Sequence, residues 1–403
     1  MKTKNISQTE FIALMAMLMS MVALTIDAML PALMQMGSDL GVKSLNDSQL
    51  IVSMVFLGMA LGQIIYGPMS DAYGRKPAIY LGMLVFLIGD VISIYAQDFH
   101  IMLLGRVLQG VGAASCRVVT LAMVRDRFEG KEMARIMSLV MMMFIMVPAI
   151  APAIGQGILL FSSWRAIFVF LFIYGIVATT WMVIRQKETL DKENRIPLSV
   201  TNIILGCQET LSNPISRNYT FSAGIMFGAF IGYLTSAQQI LQIQYELGKL
   251  FPVYFGALAL AIGFASYINS KLVMKFSMEK LCIAALAMIA LFSLIFYAKI
   301  LMSLEDPSLC FLMCYLMCIF FCFGILFGNF NTLAVQPLGH IAGIANSVIS
   351  TVQTLISVML GSYIGQAYDG TLQPLVLGFL TCGVCTFIIV IRIDKNRMIP
   401  HVK

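Results

Sequence analysis

Gly67-Pro68-Met69-Ser70-Asp71-Ala72-Tyr73-Gly74-Arg75-Lys76-Pro77 is a short polar stretch between two long apolar runs. One run enters it at Tyr66 and the next leaves after Pro77. The spacing predicts a tight turn. Gly67 and Gly74 free the backbone to reverse sharply, and Pro77 suits the first turn of a following helix. Asp71, Arg75 and Lys76 set three charges beside sequence that is otherwise hydrocarbon.

The flanks explain that contrast. The chain has 403 residues, of which 59% are hydrophobic and only 11% charged, with a mean hydropathy of +0.88. A soluble domain of this length does not have that composition. A bilayer crossing needs roughly 20 apolar residues. Twelve runs qualify: 10–36, 49–70, 77–97, 100–124, 133–160, 165–185, 219–243, 251–270, 280–301, 309–335, 341–367 and 372–392. They leave no room for a soluble catalytic domain. The basic start Met1-Lys2-Thr3-Lys4 has the look of a leader, but the first run is too long and lacks a small-residue cleavage site, so it is read as a helix.

The net charge of +6 matters through its distribution. With both termini on the cytoplasmic side, 20 of the 26 Lys and Arg fall inside. Only Lys43, Arg165, Lys249 and Lys299 fall outside, and Arg106 and Arg117 lie within spans. That asymmetry orients the chain and gives no reason to expect nucleic acid as a partner. The 9 Cys sit in or beside apolar runs, including Cys310, Cys314, Cys318 and Cys322 at four-residue spacing on one span. No His or acid accompanies them, so they read as packing groups and no metal is expected. The 30 Met read as core filler that also supplies adaptable pocket walls.

Charged residues inside spans are costly and therefore candidates for function. Asp27 is deep in the first run, Asp90 in the third, and Arg106 and Arg117 in the fourth. At about 1.5 Å per residue, Asp27, Asp90 and Arg106 lie at similar depth in the outer half. An ion pair between Arg106 and one of the two acids is expected, and the sequence does not choose between them. Arg117 shares a face with Arg106 at greater depth. It reads either as a contact for an anionic part of a substrate or as a cation that snorkels or pairs structurally. In the fifth span, Pro148 and Pro152 each remove a backbone donor and are expected to kink the helix. Asp126, in the next charged loop, is the expected partner of Arg75. Uncharged polar residues in later spans, namely Tyr233, Gln238, Gln242, Asn329, Asn331, Asn346 and Gln353, glue helices together or line a cavity.

Residues 186–216 are the one long polar interruption, with a charged run from Lys187 to Arg195 and an interfacial helix expected from Asn202 to Leu211. They divide the chain into 1–185 and 217–403. A faint echo of the opening stretch recurs at Asn269-Ser270-Lys271-Leu272-Val273-Met274-Lys275, which suits a two-repeat transporter.

Four patches resemble the major facilitator superfamily, and within it the drug:proton antiporters of the bicyclomycin-resistance type. They are Asp27 with Pro31-Ala32-Leu33, the stretch 67–77, Leu104 and Arg106 with Gln109-Gly110, and Gly328-Asn329-Phe330-Asn331 through Gly339-His340-Ile341-Ala342-Gly343. The resemblance implies an all-α membrane protein of twelve helices in two pseudo-symmetric six-helix bundles. It also implies a monomer in a bacterial inner membrane that exports small amphipathic molecules against protons without a cofactor. Asp27 is then the proton carrier and Arg106 its coupling partner, with Asp90 as rival carrier. Asp71, Gly74, Arg75, Lys76 and Asp126 form the conformational gate. The fifth span departs from the antiporter pattern: Val147 precedes Pro148, Ala151 precedes Pro152, and Gln156 follows Gly155. An importer of a metal chelate or nutrient with the same fold is the alternative, and a non-transporting membrane sensor a third reading. No Gly-x4-Gly-Lys-Ser/Thr run is present, which argues against an ATP-driven pump, and nothing suggests an enzyme.

Overall fold

The computed structural model describes residues 6–302 and 306–398, some of them, chiefly within 131–145, by backbone alone. Lys2, Lys4, His401 and Lys403 lie outside the described residues. Every regular element among the described residues is helical.

Helix α1 (Gln8–Asp27) starts on a Ser7 cap whose hydroxyl accepts from the Glu10 amide. It ends at Asp27, short of the single run 10–36 read from the sequence. Pro31 explains the break. It has no N–H to offer the carbonyl four residues back, which belongs to Asp27, and its ring crowds that carbonyl. A 3₁₀ turn, Leu30–Ala32, and a short helix α2 (Leu33–Asp39) carry the chain on. Helix α3 (Leu50–Tyr73) and helix α4 (Arg75–Tyr95) follow. The turn expected over 67–77 is therefore corrected: only Gly74 is non-helical, with φ 107° and ψ 161°. The Gly74 amide still bonds the Ser70 carbonyl at 3.2 Å, so the helix survives Pro68 and stops one residue before Arg75.

Helix α5 (Phe99–Arg127) is capped by Asp98, which accepts from the amides of His100 and Ile101. Helix α6 (Gly130–Leu159) runs through Pro148 and Pro152 as one helix, and α7 (Arg165–Arg185) follows. After helix α8 (Val200–Ser212), Asn213 caps helix α9 (Pro214–Ala237), which passes directly into a π-helical turn at Gln238–Gln244. Helices α10 (Phe251–Leu272), α11 (Met278–Met302) and α12 (Leu309–Val335) lead to a 3₁₀ segment, Gln336–Ile341, whose Leu338 leaves helical geometry. Helices α13 (Ala342–Gln366) and α14 (Gln373–Met398) complete the chain.

Among the described residues, 10 segments are long and apolar enough to cross a membrane. One of them, Leu309–Gln366, contains both α12 and α13, and α6 contributes the shorter apolar stretch Met146–Leu159. The chain divides into two compact units, Met1–Ile204 and Leu205–Lys403. In the first, α5 packs along both α3 and α4. Small residues permit this: a Cβ on Gly62 would stand 2.6 Å from the Ala114 Cβ, and one on Gly110 would overlap the Val55 carbonyl. In the second unit, α9 packs along α13 and α11 along α14.

Candidate proton and substrate site

In the first unit, three ionisable side chains sit in apolar surroundings. Asp27, the last residue of α1, is 4% exposed, and Asp90 and Arg106 are fully buried. Arg106 spreads its donors over three neighbours. Its Nε donates to the Ile51 carbonyl at 3.0 Å, its Nη2 to the Thr25 carbonyl at 2.8 Å, and its Nη1 to Gln109 Oε1 at 2.5 Å. The guanidinium lies 5.6 Å from the centre of the Phe168 ring. Gln109 Nε2 in turn donates to Asp90 Oδ1, while Asp90 Oδ2 has no partner among the described residues.

The ion pair expected between Arg106 and an acid is thus corrected. Among the described residues no salt bridge joins Arg106 to Asp27 or Asp90; Gln109 stands between Arg106 and Asp90. The reason is the end of α1. A helix leaves its last carbonyls without helical donors, and the Thr25 carbonyl is offered to the guanidinium instead. Asp27, two residues on, receives no hydrogen bond among the described residues. Gly155 of α6 packs at this break, where any Cβ would overlap the Ala28 carbonyl. Pro152, one turn earlier, is buried and Pro148 half-buried, while Arg117 is half-buried farther along α5.

The Gly74 turn carries a second cluster in the same unit. Arg75, 6% exposed, grips Asp126 with Nε at 2.8 Å and Nη2 at 3.1 Å. Its Nη1 donates to Ser70 Oγ at 3.0 Å and to the Asp71 carboxylate. Sequence reasoning missed Glu188. Its carboxylate accepts from the backbone amides of Arg75 (2.9 Å), Lys76 (3.0 Å), Thr189 (2.9 Å) and Leu190 (3.2 Å). Gly74 stands at the N-cap of α4 and has no side chain to cap it, so the helix needs an acceptor from elsewhere. That vacancy was the available signal. Lys76 Nζ reaches the Gln186 carbonyl at 2.5 Å, Thr189 Oγ1 donates to Asp126 at 2.9 Å, and the Ile196 amide donates to the Asp71 carbonyl at 3.1 Å. Residues 186–196, read from the sequence as a charged linker, are accordingly a strap bound to this turn.

In the second unit, the expected cavity residues separate. Tyr233 is fully buried, stacked on Phe255 with centroids 6.0 Å apart and edge-on to Phe320 at 4.8 Å. Asn329, 3% exposed, exchanges amide hydrogen bonds with Asn269 of α10 at 3.0 and 3.1 Å. Asn346 donates to its own helix at the Ala342 carbonyl, 2.9 Å away. Gln238 is buried at the start of the π-helical turn; Gln242 is half-buried, and its Oε1 has no donor among the described residues. Asn331 and Gln353 of the set meet each other, with Gln353 Nε2 donating at 3.2 Å. A further cluster ties the end of the π-helical turn to the residues before α12 and after α13. Gln244 donates to Asp306 at 2.9 Å and accepts from the Tyr368 hydroxyl at 3.0 Å, and Tyr245 donates to the Pro307 carbonyl at 2.7 Å. Burial, and then the Asp306 charge, push both phenols up to about 12.

Residues 12–362 match the family model of the Major Facilitator Superfamily. A bicyclomycin resistance protein homolog of Haemophilus influenzae is 28% identical over 94% of this chain and 94% of its own length. A chloramphenicol resistance protein of Pseudomonas aeruginosa is 26% identical over 68% of this chain and 66% of its own. The crystal structure of the human organic anion transporter MFSD10 (TETRAN) superposes with a TM-score of 0.71 at 14% identity, covering 94% of this chain and 98% of that one, a likeness of fold.

Proposed function

We propose that this chain, which belongs to the Major Facilitator Superfamily, exports small amphipathic molecules from a bacterial cytoplasm in exchange for protons by alternating access. In this reading twelve helices cross the inner membrane as two six-helix bundles, with both termini cytoplasmic, and one copy of the chain suffices. The relatives named for resistance to bicyclomycin and chloramphenicol support export of such molecules.

The observation that carries the proposal is Asp27. It is a buried carboxylate at the broken end of a membrane helix, with no hydrogen bond among the described residues. An ionised carboxylate without a partner is costly in hydrocarbon, so this position suits a group that crosses the membrane phase neutral and loses its proton only on exposure to water. Arg106, hydrogen-bonded to the Thr25 carbonyl two residues before Asp27 in the chain, supports the anion when it forms. Asp90 already has an amide donor in Gln109 and is the rival carrier. Arg117 meets anionic parts of a substrate. The Arg75, Asp126 and Asp71 cluster, capped by Glu188, holds the gate at the ends of α3, α4 and α5.

The test is substrate-induced proton release from detergent-purified protein, compared for wild type, Asp27→Asn and Asp90→Asn. Asp27→Asn is expected to abolish release while retaining binding, because it resembles the protonated acid. Unchanged release in Asp27→Asn would remove the assignment, and loss confined to Asp90→Asn would move the carrier to α4.

A further inference from the structure

Three phenylalanines of the second unit form a platform that the polar residues singled out from the sequence do not include. Phe227 and Phe230 of α9 stack with centroids 5.7 Å apart and planes 19° apart. Phe327 of α12 meets both edge-on, at 5.5 and 5.7 Å. Behind them Phe323, fully buried, stacks on Phe327 at 5.3 Å. The three front rings are half-buried although they pack on one another, so each keeps part of its surface for a further group.

Two observations separate this surface from a lipid-facing stripe. One turn beyond Phe327, exposed Asn331 accepts a hydrogen bond from Gln353 of α13 at 3.2 Å. An amide pair bordering an aromatic surface is out of place against acyl chains, where apolar residues carry the contact. That pair uses one N–H of Gln353 and leaves the amide hydrogens of Asn331 to donate. Charge adds the second argument. Across α9, α12 and α13 the sole Asp, Glu, Lys or Arg is Arg217, near the start of α9. A ligand charge on the platform would have no counter-ion from these helices. A neutral planar ring gains offset or edge contacts with the phenylalanines instead.

We propose that Phe227, Phe230 and Phe327 form a substrate subsite for a neutral aromatic ring, with Asn331 donating to an acceptor group on that ring. The inference rests on the export reading for its physiological meaning, while its test is a binding measurement. 4-Fluorophenylalanine is introduced at position 327 of the full-length protein in nanodiscs, and its ¹⁹F resonance is followed as chloramphenicol, which carries a nitrophenyl ring, or non-aromatic bicyclomycin is added. Chloramphenicol is expected to shift the resonance through its ring current, saturably, and bicyclomycin to leave it in place. Phe327→Leu is expected to reduce the ratio of chloramphenicol to bicyclomycin affinity about two- to twelve-fold, and Phe327→Tyr to restore it. No chloramphenicol-dependent shift up to the solubility limit, or equal shifts with both compounds, overturns the subsite. A saturable shift without substrate-induced proton release leaves the subsite standing and removes the export reading.

Discussion

Gly74 shows how much a single residue decides. Its φ of 107° and ψ of 161° are open almost exclusively to glycine, and a Cβ there would stand 2.7 Å from Glu188 Oε2. Gly74→Ala is expected to cost about 1–3 kcal/mol from backbone conformation alone. Displacement of the Glu188 cap adds to that, and a lower thermal midpoint in detergent checks it. An unchanged midpoint would mean that the strap adjusts freely. The amide pair of half-buried Asn269 and buried Asn329 makes a different point. Truncating one partner leaves the other unsatisfied, at about 1–3 kcal/mol, whereas removing both lets apolar side chains close the gap. A double-mutant cycle with Asn269→Ala and Asn329→Ala is therefore expected to show the double variant less destabilised than the sum of the single ones. Strict additivity would assign no coupling to the pair.

At the scale of elements, the meeting of α1 and α6 is decisive. Pro31 ends α1 at Asp27, and Gly155 lets α6 approach the Ala28 carbonyl at that break. Gly155→Val is expected to force the helices apart and to lower substrate-induced proton release along with thermal stability. Gly157, whose Cβ would meet nothing within 4 Å, is the control on the same helix. Retained proton release in Gly155→Val would show that the α1 break does not depend on α6. The π-helical turn at Gln238–Gln244 ends in the Gln244, Asp306 and Tyr368 cluster, with Tyr245 beside it. Both phenols are pushed up to about 12, above the ordinary value near 10. The fold therefore favours their protonated forms. That contribution to stability is whole below pH about 10 and is lost as pH rises through about 12. Alkaline unfolding followed in wild type and in Tyr245→Phe with Tyr368→Phe is expected to lose part of its pH dependence in the double variant. Superimposable curves would place the alkaline transition elsewhere.

For the molecule as a whole, the two compact units use different chemistry. The first binds its turn with Arg75, Asp126, Asp71 and Glu188, and the second pairs two neutral amides near the faint echo at residues 269–275. The first also buries Asp27, Asp90 and Arg106, while the second gathers phenylalanines. The distribution of Lys and Arg gives an expected topology that membrane-impermeant amine reagents can check on intact cells. Lys43 and Lys249 should react, and Lys187, Lys192 and Lys275 only after the membrane is opened. The reverse pattern would invert the orientation and with it the direction assigned to export.

Hydrophobic length and the expense of charge in hydrocarbon made much of this legible in one dimension. Long apolar runs, the polar turn around Gly74 and the exceptional status of Asp27, Asp90 and Arg106 follow from composition and spacing alone. So does the pairing of Arg75 with Asp126, since opposite charges at the ends of neighbouring spans have few other partners. The partners of Arg106 were not legible. Depth along a helix follows from counting residues, but azimuth and the free carbonyls at the Pro31 break arise only when α1, α3 and α5 pack, and there backbone oxygens outcompete both carboxylates. Glu188 was hidden for a similar reason, because capping of α4 by a residue more than 110 positions away requires the strap to fold back on the turn. Asn329 and Tyr233 looked like cavity residues because a polar atom in a span is ambiguous by itself. Packing against Asn269, Phe255 and Phe320 decided that they serve the core, and left the half-buried phenylalanines, the least distinctive residues in an apolar sequence, partly uncovered.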